Sequence, residues 1–157
     1  MITHQPENYV CPFCEFLAGK ETEYNKKQDI VFQNEFTTAF VAPKWWKNNT
    51  GHVLVIPNAH HENIYTIPND ILGEVYMTVK KVATAIRSAY DCYGTSTRQH
   101  NEPAGNQDVW HFHAHVYPRY KDDQLYKNHD QQGFVDARAR LPYAEKLRAY
   151  FAEHSSE

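Results

Sequence analysis

An α+β fold with a mainly antiparallel sheet is what this sequence predicts. Short apolar and β-branched runs succeed one another across polar, Gly- or Pro-containing breaks, one long stretch of helical periodicity interrupts them, and no βαβ alternation follows. Strands are expected at DIVFQ (29–33), TTAFVA (37–42) and HVLVIP (52–57). From Tyr65 the pattern turns helical. Asn69 and Asp70 give a start signal, Leu72, Val75, Val79, Val82, Ile86 and Ala89 recur at steps of three and four, and Gly94 is the expected stop. GTSTRQH (94–100) reads as extended and NEPAGNQD (101–108) as a loop; VWHFHAHVY (109–117) alternates at period two up to Pro118. The polar stretch 121–140 is expected to be irregular, and YAEKLRAYF (143–151) to form a last short helix burying Ala144, Leu147 and Phe151. The expectation is one domain over 1–157, with a core at 10–120 and a C-terminal extension at 121–157.

Composition narrows the function classes. The chain has 157 residues, a net charge of −3 and 41% hydrophobic residues, so no global basic field points to bulk nucleic-acid binding. No apolar run is long enough to span a bilayer, and the N-terminus lacks a basic start followed by an apolar run. Three cysteines, an odd number, suit a reducing compartment, and the cytoplasm is the expected location. GxGxxG and P-loop signatures are both absent.

HFHAHVY places His111, His113 and His115 at alternate positions. On a strand these share one face with Val109 and Tyr117, roughly 6.6 Å apart, while Trp110, Phe112, Ala114 and Val116 share the other and pack toward the long helix. Neutral imidazole can be nucleophile, acceptor or metal ligand near neutral pH, so three in a row can address one extended ligand, or a ligand and a metal.

Cys11-Pro-Phe-Cys14 has the two-residue gap that chelates one Zn²⁺. No second CxxC exists, so histidines must complete a tetrahedral site; His52, His60, His61 and the row of three are the candidates. A redox pair and a metal-free pair are the alternatives.

CPFC, GHVLVIPNAHHENI and NEPAGNQDVWHFHAHVYPR together resemble the histidine triad (HIT) family over about residues 10–120. The resemblance implies a HIT-like fold and a nucleotide hydrolase or nucleotidyl transferase acting at an α-phosphate through a covalent nucleotidyl-histidine. It makes His113 the nucleophile, His115 a phosphate contact and His52 a supporting histidine. Asn101, Asn106 and Gln107 become phosphate-binding loop residues, and Cys11, Cys14, His60 and His111 ligands of a structural zinc. A nucleotide is the implied small-molecule partner, and homodimers are common in the family. Two departures stand out. Asn106 interrupts the Ala-Gly-Gln found in many relatives, and AFVAPKWWKNNTGH carries no ribose-binding carboxylate, so Trp45 or Trp46 is a candidate base-stacking residue. These departures motivate a second reading, a nucleotide-binding module with little catalysis. A catalytic metal held by the triad itself is a third, weakened because no carboxylate follows His115 before Asp122.

Overall fold

The computed structural model describes residues 2–154. Its centre is a five-stranded antiparallel sheet of β1 (Ile30–Gln33), β2 (Thr37–Val41), β4 (Val53–Pro57), β6 (Ala114–Arg119) and β5 (Gly94–Gln99), in that spatial order. A two-stranded ribbon pairs β3 (Lys44–Trp46) with β7 (Gln132–Phe134). The helices are α1 (Pro12–Leu17), α2 (Asn69–Ala89) and α3 (Ala137–Glu153).

The near-continuous apolar runs of β2 and β4 follow from a sheet buried on both faces. Ala39, Val41, Val53, Val55, Ala114 and Val116 face the core shared with α2 and α3. Phe40, Leu54 and Ile56 point the other way, against Cys11, Phe13 and Phe16 of the N-terminal arm. Pairing of Leu54 with His115 puts the histidine face of β6 on this second side. The stripe on α2 is buried as its period demands, with Val75, Val79, Val82 and Ile86 inward.

Five expectations are corrected. The strand at 109–117 instead occupies 114–119, because 109–113 bends: the His111 amide donates to the Val109 carbonyl and the Phe112 amide to the His61 carbonyl. Pro118 does not end it, because β4 has already left β6 at Val116 and only β5 still pairs there. Gly94 is not a helix stop; α2 ends at Ala89, Tyr90 turns extended, and Gly94 opens β5. The stretch 121–140 is not wholly irregular, since it holds β7 and the first turn of α3. The C-terminal helix is not short: it runs 17 residues from an Asp136 cap, whose side chain accepts from the Arg138 amide, through Pro142.

Gly51, at φ +82°, fixes how the chain enters His52 and β4. A Cβ there would lie 2.4 Å from the Tyr143 ring and 2.8 Å from the Tyr90 ring. Only glycine lets these two aromatics close over that turn.

Candidate functional site

The histidine row divides between two sites, because 109–113 bends before β6 begins. His113 and His115 open into a cavity of about 230 Å³ whose lining also includes His52, Leu54, Phe13 and Trp46. His111 turns instead toward Cys11 and Cys14.

In the cavity, His113 Nδ1 lies 2.7 Å from the His111 carbonyl and must carry the proton that bond requires. Nε2 is left with its lone pair free, 3.8 Å from the Asp108 carboxylate. Phe13 meets the ring edge-on at 5.5 Å. Burial drives the His113 pKa down, partly offset by the bond to the His111 carbonyl and by Asp108, so the ring is a neutral imidazole. A neutral nitrogen held at fixed orientation can act as nucleophile or acceptor.

Beside it runs a chain of rings. His52 Nδ1 is 3.3 Å from the Lys44 carbonyl and donates to it, which leaves Nε2 to accept from His115 Nδ1 at 2.9 Å. The Tyr117 hydroxyl stands 3.2 Å from the same His115 nitrogen. The His52 and Tyr117 rings stack at 4.3 Å, and Trp46 caps both edge-on. Burial, against the pull of the Lys44 carbonyl, lowers His52 to about 3, and burial likewise holds His115 well below the usual imidazole range. Proton position along this chain is therefore set by hydrogen bonding rather than by bulk pH.

The 101–108 loop is braced from within. Gln107 accepts from the Glu102 amide and donates to the Glu62 and Val109 carbonyls. Asn101 bonds the Ile64 amide and the Gln99 side chain. Glu102 takes φ 61° and ψ 166°, a strained conformation for a residue with a Cβ, and Asn106 is left-handed at φ 67°. Asparagine is among the side chains that tolerate that conformation, so the departure at this position fits the turn. Asp108 at the end of the loop and Val109 just after it line the cavity; Asn101, Asn106 and Gln107 do not.

Cys11, Cys14, His60 and His111 present ligand atoms within 4.8 Å of one another, the one such group among the described residues. Sulfur–nitrogen separations are 3.4 Å for Cys11–His111, 3.6 Å for Cys14–His111 and 3.4 Å for Cys14–His60. A tetrahedral zinc with ordinary bond lengths demands about 3.5 Å between sulfur and nitrogen ligands. The far nitrogens are also engaged: His111 Nε2 donates to the Pro57 carbonyl at 2.9 Å and His60 Nε2 to Gln5 Oε1 at 2.9 Å. Both imidazoles thereby turn an unprotonated Nδ1 toward the thiols. Burial and the adjacent Cys11 push the Cys14 thiol up to about 11, a cost to its thiolate that a bound cation would offset. The residues fit zinc.

Several lining residues escaped the sequence reading: Tyr24, Asn25, Lys44, Asp108, Gln132 and Phe134. Asp108 was open to discovery as the charged end of the loop. Phe134 carried no signal, since its placement depends on a ribbon that pairs residues far apart in sequence. Trp45 and Trp46 part ways. Trp45 is core, donating to the Ala42 carbonyl and meeting Tyr143 edge-on, whereas Trp46 lines the cavity. Trp110, expected to face the α2 side, lies instead against His4. Cys92 is buried in the core just past α2, its thiol donating to the Ile86 carbonyl, and lines neither the cavity nor the cysteine–histidine cluster. His100 Nδ1 donates to the Gly105 carbonyl at 2.7 Å and sets its ring edge-on to His115, bracing the loop.

Residues 23–122 match the HIT domain family. The Bacillus subtilis protein named Protein hit is 33% identical over 117 residues, covering 74% of this chain and 74% of its own length. Adenosine 5'-monophosphoramidase HNT1 of Saccharomyces cerevisiae is 25% identical over 109 residues, 69% of this chain and 62% of that protein. Among solved structures, a Hit-like protein involved in cell-cycle regulation from Bartonella henselae superposes with a TM-score of 0.77 at 25% identity, covering 93% of this chain and 98% of that one. A zinc-bound histidine triad family protein from Mycobacterium smegmatis gives 0.75 at 24% identity, over 93% and 96%. The matched residues contain the whole histidine row, His52 and the strand that follows it, so this chain belongs to the HIT family.

Proposed function

We propose that the protein is a nucleotide hydrolase or nucleotidyl transferase that works through a covalent nucleotidyl-His113. The observation that carries this is the fixed tautomer of His113: Nδ1 is held by a carbonyl, and Nε2 is free beside a cavity sized for part of a nucleotide. In the first step Nε2 attacks the α-phosphorus, a P–N bond forms, and the bond from phosphorus to the leaving group breaks with its electron pair. In the second, water or an acceptor hydroxyl attacks the same phosphorus and returns the pair to Nε2. His115, oriented by His52 and Tyr117, meets the phosphate, and backbone groups of the braced loop assist with the charge that develops there. The yeast phosphoramidase among the relatives supports a nucleoside phosphoramidate or related ester or anhydride as substrate.

Cys11, Cys14, His60 and His111 would hold the zinc, a closed structural ion that fixes the N-terminal arm against the bend before His113. Because His111 faces the cysteines, the triad is not arranged around a catalytic metal of its own. The homodimer belongs to the same proposal, supported by the unpaired outer edge of β5 and checked by light scattering. No helix among the described residues is long and apolar enough to cross a membrane.

The deciding experiment incubates the protein with an adenosine phosphoramidate and looks for acid-labile adenylate on His113 by mass spectrometry. His113→Ala is expected to lower turnover by at least about a thousandfold and to abolish the adduct. Wild-type binding without turnover or adduct favours the binding-module reading; full activity in His113→Ala removes the covalent route.

A further inference from the structure

We propose that Asp108 is a charge filter on the reacting phosphate: its carboxylate admits a substrate phosphate with one negative charge and repels the doubly charged monophosphate that hydrolysis leaves behind. The inference rests on the nucleotide reading above and adds a specificity-determining residue to that site.

Asp108 stands where the loop gives way to the bend, and it lines the same cavity as His113. Its Oδ1 is 3.8 Å from His113 Nε2, the nitrogen that attacks. Among the described residues no lysine or arginine forms an ion pair with it, and the imidazole beside it is kept neutral by burial. The Asp108 side chain is 67% exposed, so no burial in the fold accounts for a carboxylate at this place. The lining holds one cation, Lys44, and one carboxylate, Asp108. A single phosphate charge finds a counterpart there, and no second cation of the lining answers a second charge.

Distance makes the effect unavoidable. A phosphorus in attack range lies about 3–3.5 Å from Nε2, and hence at most about 7 Å from the Asp108 oxygen. That is inside the roughly 10 Å over which charges are felt at 0.1 M salt. A nucleoside phosphoramidate and the nucleotidyl-histidine each carry one negative charge on the phosphate oxygens. In the second step water adds to phosphorus, the P–N bond breaks with its electron pair returning to Nε2, and both protons of the water pass to solvent. The product is a phosphate monoester, which approaches two charges at neutral pH. In water, one further unit of charge at about 5 Å from a carboxylate weakens binding about fourfold. Asp108 therefore ranks substrate above product and keeps the free nucleoside monophosphate from occupying the site.

The test is calorimetric binding of adenosine, adenosine 5'-methylphosphonate and AMP to wild type, Asp108→Asn and Asp108→Glu. At about pH 8 and low salt these ligands carry none, one and two charges. Relative to wild type, Asp108→Asn is expected to bind adenosine unchanged, the methylphosphonate about fourfold more tightly and AMP about sixteenfold. Asp108→Glu keeps the charge and is expected to follow wild type. Both gains should shrink as salt is raised. An equal gain, or none, for methylphosphonate and AMP overturns the filter. So do gains undiminished at high salt, or an Asp108→Glu series that follows Asp108→Asn. If neither wild type nor Asp108→Asn binds a phosphate-bearing ligand, the nucleotide reading itself fails and the filter goes with it.

Discussion

At the scale of single residues, the site depends on imidazoles kept neutral by burial. His52 is the clearest. It sits 2% exposed in the sheet, and desolvation lowers its pKa to about 3 despite the Lys44 carbonyl. In the unfolded chain the same group titrates near about 6.5. Below that pH the unfolded chain takes up a proton that the folded chain refuses, so the contribution is complete above about 6.5 and drains away as pH falls toward 3. His115 is shifted in the same direction by burial and by its histidine neighbours. The wild-type Tm should therefore fall between pH 7 and pH 5. His52→Asn keeps an N–H for the Lys44 carbonyl but cannot titrate there, and its Tm should fall less over the same interval. Parallel Tm–pH curves for the two proteins would show that His52 is not buried neutral. The spacing of the histidines was legible in the sequence; their tautomers were not, because each is fixed by a carbonyl or ring brought in from another segment.

Among the elements, α1 has the least stability of its own. Six residues are far short of the roughly 12–15 at which an isolated helix becomes marginal in water, so tertiary anchors must hold it. Phe13 and Phe16 supply one anchor, buried against Phe40. The cluster of Cys11, Cys14, His60 and His111 supplies the other, joining the arm to the segment after β4 and to the bend before β6. Chelation, or Cys14→Ser, is expected to remove one equivalent of zinc and at least about 2 kcal/mol of stability, a fall in Tm of roughly 5 °C or more. Elemental analysis and thermal melts check this, and an unchanged Tm after complete metal removal would make the ion incidental to the fold. The elements that the sequence disclosed were those with a strong period of their own, β2, β4 and α2. Missed were those defined by distant partners. β3 and β7 are three residues each and exist only as a pair, and Pro142 disguised a helix that begins one and a half turns earlier.

For the molecule as a whole, the C-terminal extension closes back on the N-terminal third and completes the cavity wall. Its fastening is a buried ion pair between Arg140 and Asp29, each 1% exposed, at 3.0 Å and 2.8 Å. The same guanidinium donates to the carbonyls of Tyr24 and Val135, so one side chain ties α3 to the turn before β1, to the residue after β7 and to the cavity-lining Tyr24. Nothing in the local sequence marks Arg140 for this role, since a charged residue in a polar stretch normally faces solvent. Arg140→Met would leave Asp29 charged and unpaired in the interior, at a cost of about 3–5 kcal/mol, whereas Arg140→Met with Asp29→Leu removes both charges and should recover most of it. Thermal melts of the two variants decide the energetic part, and a single variant as stable as the double would show that the pair is not buried as described. The same proteins separate the fastening from the chemistry. His115 rests on β6, and His113 and His52 just before β6 and β4, none of which Arg140 touches, so nucleotide affinity should weaken in both variants as the cavity-lining Tyr24, packed on Phe134, loosens, while adduct formation at saturating nucleotide persists in the double variant.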